Sequence, residues 1–202
     1  MTGIASPTTE GREDTQGTGG PAAWSGAAAG AWLAELARGG VLPSGRALVP
    51  SAEMAEEAAA LATAGYRVQV VDTSRDTLAR ARKTARAAKA EIETIHGDFF
   101  RLRAPLYGTV DVVADRALFS SLEPIRRADW AHLVARILPR EGKLAALFQV
   151  ALNAPGLQPP YAITEGKIRG LLGRNFVVEQ LAPAGTSAPG AVRVWRGVFR
   201  RK

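Results

Sequence analysis

Three carboxylates stand at or just past the ends of apolar runs: Asp72 after "YRVQVV", Asp98 in "HGDFF", and Asp115 after "VVA", with Arg116 directly behind it. A carboxylate in such a place offers several acceptor sites to neighbouring donors. Each also has a plainer reading. Asp72 would support a helix starting at Thr73, Asp98 would be a turn aspartate before two core phenylalanines, and Asp115 with Arg116 would be a strand-end ion pair of little energetic weight. A fourth place of interest is the stretch "RALVPSAEMAEEAAALATAGYRVQVVD", residues 46–72, which has the rhythm of strand, tight turn, helix and second strand. In chains of this kind the turn cradles a nucleotide-like cofactor, and glycine lets backbone and ligand approach closely. The turn here, from Ser51 to Glu57, contains no glycine.

The elements that must position these residues follow from periodicity and punctuation. A helix or a coil leading into one is expected from Ala22 to Arg38, stopped by Gly39-Gly40, and a short strand at Ala47–Val49. Gly65 ends the next helix, and Tyr66–Asp72 alternates before becoming solidly apolar, as a strand buried on both faces does. "TSRDTLARARKTARAAKA" reads as a helix capped by Thr73 or Ser74, with Leu78 and the alanines as its buried stripe. A strand near Ile92–His96, the strand "TVDVVA", a helix around Ala128–Leu138 and the strand "KLAALFQVAL" come next. A helix over Thr164–Leu172 and two strands, "NFVVEQLA" and "VRVWRGVFR", close the chain. Such alternation implies an α/β fold, a mostly parallel sheet with helices on both faces. The last two strands have no room for a helix between them, so they are expected to pair antiparallel at one edge. In open sheets of this kind ligands bind beyond the carboxyl ends of the strands, which singles out the loops after Val49, Val71, Ile95 and Ala114.

Composition bounds the rest. A chain of 202 residues, 47% hydrophobic, has enough apolar side chains for one sizeable core, so 22–202 reads as a single domain. Residues 1–21 are polar and glycine-rich and read as a disordered tail. Cysteine is absent, which excludes disulfides, thiolate metal sites and cysteine nucleophiles, and His96 and His132 stand apart, so no metal site is expected. No apolar run is long enough to span a bilayer and no signal-peptide pattern opens the chain, so a soluble cytoplasmic protein is expected. The net charge is +7, and because the tail is net negative the remainder is more basic still. Arg75, Arg80, Arg82, Lys83, Arg86 and Lys89 crowd one helix. Nucleic acid is thereby allowed as a partner, but no nucleic-acid motif accompanies the charge, and a solvated basic face is the plainer reading.

The stretches "LPSGRALVP", "AGYRVQVVDTS", "HGDFF", "DVVADRALFSSLEP", "LVARILPREGKLAALF" and "PPYAITEGKIRGLL" together resemble the thiopurine methyltransferase family, within the class I methyltransferases. They cover most of residues 41–173 in the family's order and spacing. The resemblance implies a Rossmann-like fold, S-adenosylmethionine as cofactor, and a small, soft nucleophile such as a thiol as acceptor. It also implies roles: Asp72 for the ribose hydroxyls, Asp98 with Phe99 for adenine, Asp115 and Arg116 at the methyl-transfer end, and Trp24 as a cover over the cofactor. Thiolates are already nucleophilic and need little general-base help, so proximity and in-line orientation would supply most of the acceleration.

One motif departs from the family. Where its first loop reads Gly-Cys-Gly-x-Gly and, one residue further, an acid, this chain has Ser51, Ala52, Glu53, Met54, Ala55, Glu56 and Glu57. Ser51 is a good N-cap and the glutamates suit a first helical turn, so the helix is expected to begin at once and satisfy its own amides. Ser51 would then border the cofactor in place of glycine. Two readings stand side by side: a methyltransferase, or a non-catalytic descendant that binds a protein partner as a scaffold.

Overall fold

The computed structural model describes residues 25–102, 106–151, 159, 161, 163–186 and 192–202. The expected tail and Trp24 lie outside the described residues. Seven strands form one sheet: β1 (Arg46–Val49), β2 (Arg67–Asp72), β3 (Ile92–His96), β4 (Val112–Asp115), β5 (Lys143–Ala151), β6 (Phe176–Thr186) and β7 (Val192–Arg201). Their order is β3-β2-β1-β4-β5-β7-β6. The first five are parallel, and β7 runs antiparallel between β5 and β6, as the short final connection requires.

Helices α1 (Gly26–Arg38), α2 (Ala55–Thr63) and α3 (Arg75–Ala87) cover one face of the sheet; α4 (Leu118–Ser121), α5 (Arg127–Ile137) and α6 (Glu165–Leu172) cover the other. The central strands feed both layers by simple alternation. Leu48 enters the cluster under α5, and its neighbours Ala47 and Val49 enter the cluster under α1 and α2; Val113 and Val112 divide in the same way. A sheet buried on both faces needs such continuous apolar runs, and each fully buried Leu or Val is worth about 1.5–3 kcal/mol.

Local sequence sets where the site-bearing helices begin. Ser25 caps α1 and Ser74 caps α3, each accepting a backbone N–H three residues on. α2 is reached less directly than expected: Ser51 caps a single 3₁₀ turn, Ala52–Met54, and the α-helix starts only at Ala55. Gly65, at φ +95°, ends that excursion in a conformation costly for other residues. α1 lies close against α2 because Gly30 has no side chain. A Cβ there would sit 3.1 Å from the Ala60 methyl and 3.2 Å from the Glu56 carbonyl oxygen.

Candidate active site

Strand order reverses between β1 and β4, so the crevice beyond their carboxyl ends is where such sheets take ligands. The turn after β1 enters it with its amides already used. Ala52 N–H donates to Asp72 Oδ2 at 2.9 Å, Glu53 N–H to Ser51 Oγ at 3.3 Å, and Met54 N–H to the Ser51 carbonyl at 3.2 Å. Ser51 thus satisfies two of the three amides, and the third is taken by a carboxylate from β2 and not by the turn itself. Its side chains divide: Glu53 is exposed, whereas Ala52 and Met54 are buried.

Asp72 is half-buried at the end of β2, and its other oxygen, Oδ1, accepts the Ser74 N–H at 2.8 Å. The carboxylate thus ties the β1 turn to the start of α3, and the described residues leave one lone pair on each oxygen over. Asp98, after β3, accepts the Phe100 N–H at 2.9 Å and keeps a half-exposed side chain. Phe99 behind it is buried in the core, and Phe100 meets it edge-on at 5.8 Å. An open cleft of about 560 Å³ runs past Asp98, lined also by Ile95, His96, Gly97, Leu102, Leu106 and Arg101, whose Nε lies 3.9 Å from Asp98 Oδ2. His96, exposed at the strand end, contacts the Thr73 carbonyl at 3.0 Å through Nε2.

Asp115 is 2% exposed and accepts the N–H groups of Leu118 at 2.9 Å and Phe119 at 3.1 Å, capping α4. Burial pushes its carboxyl up to about 6, against the pull of those two amides. Arg116 leaves β4 in the other direction and bridges the crevice. Its N–H donates to Met54 Sδ at 3.3 Å, Nη2 to the Glu53 carbonyl at 3.4 Å, and Nε to Glu57 Oε1. Glu57 is fully buried in the first turn of α2, and its Oε2 has no partner among the described residues. Burial raises its proton affinity, and the Arg116 hydrogen bond and charge lower it again. Between Arg116, Glu57, Met54 and the α1 residues Ala29, Trp32 and Leu33, about 10 Å³ remains, room for about one water molecule.

Of the residues singled out in the sequence, Ser51, Asp72, Asp115 and Arg116 thus gather around the ends of β1, β2 and β4, and Asp98 with Phe99 stands beyond β3. Trp24 lies outside the described residues. In the sequence Glu57 stands out only as first-turn charge. Its signal was its place on the stripe Met54, Glu57, Ala58, Leu61, where a carboxylate goes underground and needs a partner. Among the described residues no group of three or more acids and histidines is placed to hold a metal. Nor is any helix among them long and apolar enough to cross a membrane.

Known proteins bear on this arrangement. The chain is 32% identical over 124 residues to thiocyanate methyltransferase 1 of Brassica oleracea, covering 60% of this chain and 54% of that protein. It is 30% identical over 136 residues to the probable thiol methyltransferase 2 of Arabidopsis thaliana, covering 65% and 58%. The chain therefore spans a little over half the length of these relatives. Among solved structures it resembles the 1,6-didemethyltoxoflavin-N1-methyltransferase of Burkholderia thailandensis at TM-score 0.69, with 13% identity, covering 87% of this chain and 79% of that one. It also resembles the N-methyltransferase NodS of Bradyrhizobium japonicum at TM-score 0.65, with 12% identity and 85% coverage of each. These two likenesses establish the class I methyltransferase fold. The sequence model for thiopurine S-methyltransferase matches residues 33–200, from the middle of α1 to the last strand, and the chain belongs to that family.

Proposed function

We propose that this protein is an S-adenosylmethionine-dependent methyltransferase whose acceptor is a small, soft nucleophile of the thiol type. The observation that carries the reading is the family match over residues 33–200, which takes in Asp72, Asp98, Asp115 and Arg116. The relatives named for thiocyanate and thiol substrates support the acceptor class. When bound, the cofactor would supply a methyl group on a cationic sulfur, activated toward the lone pair of a soft nucleophile.

The residues fit the adenosine half of that cofactor. Asp72 keeps a free lone pair on each oxygen for ribose hydroxyls, and Asp98 keeps acceptor capacity for an amine beside the apolar walls Ile95, Leu102 and Leu106. At the methionine half the chemistry fits, since Glu57 presents an unpartnered carboxylate oxygen suited to an ammonium. The space there is held by Arg116 and Met54. Asp115 serves as a positioning residue: by capping α4 it fixes the backbone from which Arg116 springs. Arg116 is the group to orient an anionic acceptor, because its planar fork matches such partners. Trp24 is assigned as a cover over the cofactor on the family resemblance.

Calorimetric titration with S-adenosylhomocysteine tests the reading. Wild type is expected to bind saturably. Asp72→Ala is expected to weaken binding at least about tenfold, as the loss of hydrogen bonds to a charged acceptor implies, with Asp72→Asn between them. Transfer of labelled methyl from S-adenosylmethionine to hydrosulfide or a thiophenolate should follow the same order. The second reading, a non-catalytic scaffold, draws support from the glycine-free turn and the filled methionine end. Absence of any response at millimolar ligand would favour it.

A further inference from the structure

Glu57 is buried, ionisable and half paired. Arg116 takes one of its oxygens, and the other faces no donor among the described residues. A buried acceptor without a donor is a standing cost that one more cation with spare N–H groups would remove. The pairing with Arg116 is also not the strong bidentate kind. Only Nε reaches Glu57, while Nη2 makes a long 3.4 Å contact to the Glu53 carbonyl, so half the guanidinium fork is spent weakly. The arginine side chain is 27% exposed, so it sits at the mouth of the crevice with water behind it.

Resting on the methyltransferase reading above, we infer that Glu57 is a cation-exchange point. Its carboxylate holds Arg116 in the donor-free protein and holds the donor's α-ammonium in the complex, which releases Arg116 toward the acceptor. One buried carboxylate neutralises one cation, so the two compete. An ammonium is compact and brings three donors, enough to serve both carboxylate oxygens, whereas Arg116 serves one. The bond from the Arg116 backbone N–H to Met54 Sδ does not use the arginine side chain, so the exchange leaves the ends of β4 and the β1 turn tied together. The glycine-free turn gains a use on this view. Its three amides are already engaged, and recognition passes to an acid in the first turn of the helix. Donor and anionic acceptor then favour one another, because linkage makes the coupling reciprocal.

Titrations at pH 8 with S-adenosylhomocysteine, which carries the ammonium, and 5′-methylthioadenosine, which lacks it, separate this from a structural role. Glu57→Gln is expected to weaken the first ligand about tenfold or more and to leave the second within about twofold. Arg116→Ala removes the competitor and is expected to tighten the first ligand about tenfold, again without effect on the second. Thiocyanate, a soft anion, is expected to bind wild type only with S-adenosylhomocysteine present, and Glu57→Gln without it. Equal effects on both nucleosides, or thiocyanate binding by wild type regardless of the first ligand, overturn the exchange while leaving the methyltransferase reading in place. If neither nucleoside binds any form, the methyltransferase reading itself falls. Should Arg116→Ala fail to fold, Glu57→Gln and the thiocyanate titration decide.

Discussion

Glu57 and Asp115 are carboxylates that folding removes from water, and burial is the first cause of the raised proton affinity of each. For Asp115 the ordinary value of 3.8 becomes about 6, so the folded chain holds this proton more tightly than the unfolded one. The sign follows by linkage: the stability contributed by the neutral form is fully present below 3.8 and is lost as pH rises through about 6. Asp115→Asn cannot ionise and keeps an acceptor for one of the two α4 amides. It is expected to flatten the fall in stability over that window by about 2–3 kcal/mol, with the part due to Glu57 remaining. Urea melts at a series of pH values measure this, and an unchanged slope would mean that Asp115 stays charged in the fold. At this scale the sequence was legible where an acid ends a strand, because strand ends converge in a parallel sheet. The Arg116–Glu57 pair joins residues 59 positions apart, and neither partner's own neighbourhood names the other.

Elements obey local rules more faithfully than residues do. The order of strands and helices, the Ser74 cap, the Gly65 stop and the antiparallel end all follow from periodicity and punctuation. What stayed hidden was short or tertiary. "LFSS" is too brief to show a period, yet it forms α4 because Asp115 supplies both hydrogen bonds at its start. The 3₁₀ turn ahead of α2 is set by Asp72, a residue from another strand, drawing on the Ala52 amide. The closeness of α1 to α2 is likewise a tertiary fact, resting on Gly30 against Ala60 and the Glu56 backbone. Gly30→Leu is expected to cost about 1–3 kcal/mol through overpacking. Because α1 carries Trp32 and Leu33 to the crevice, the same substitution should raise hydrogen exchange across the first turn of α2. A variant as stable as wild type, with unchanged exchange there, would show that the helices have room to part.

Across the whole molecule, the basic charge and the two-layer core act independently. The cations of α3 lie on its exposed side with Leu78, Ala81 and Ala85 beneath. At the C-terminus Arg200 is shared by Glu141 and Glu179, and Arg201 donates to the carbonyls of Ala135 and Asn175. The two acids offset the charge of Arg200, whereas the carbonyls that hold Arg201 fix its side chain and leave its charge in place. The core, by contrast, couples the whole chain, because β1, β4 and β5 each send alternate residues into both layers. Damage on one face must therefore loosen the other. Leu48→Ala empties a position in the layer beneath α5 and is expected to cost about 2–5 kcal/mol. Amide exchange in α2, on the opposite face, should then lose as much protection as exchange in α5, since both helices open only when the shared strands do. Loss confined to α5 would mean that the two layers unfold as separate units.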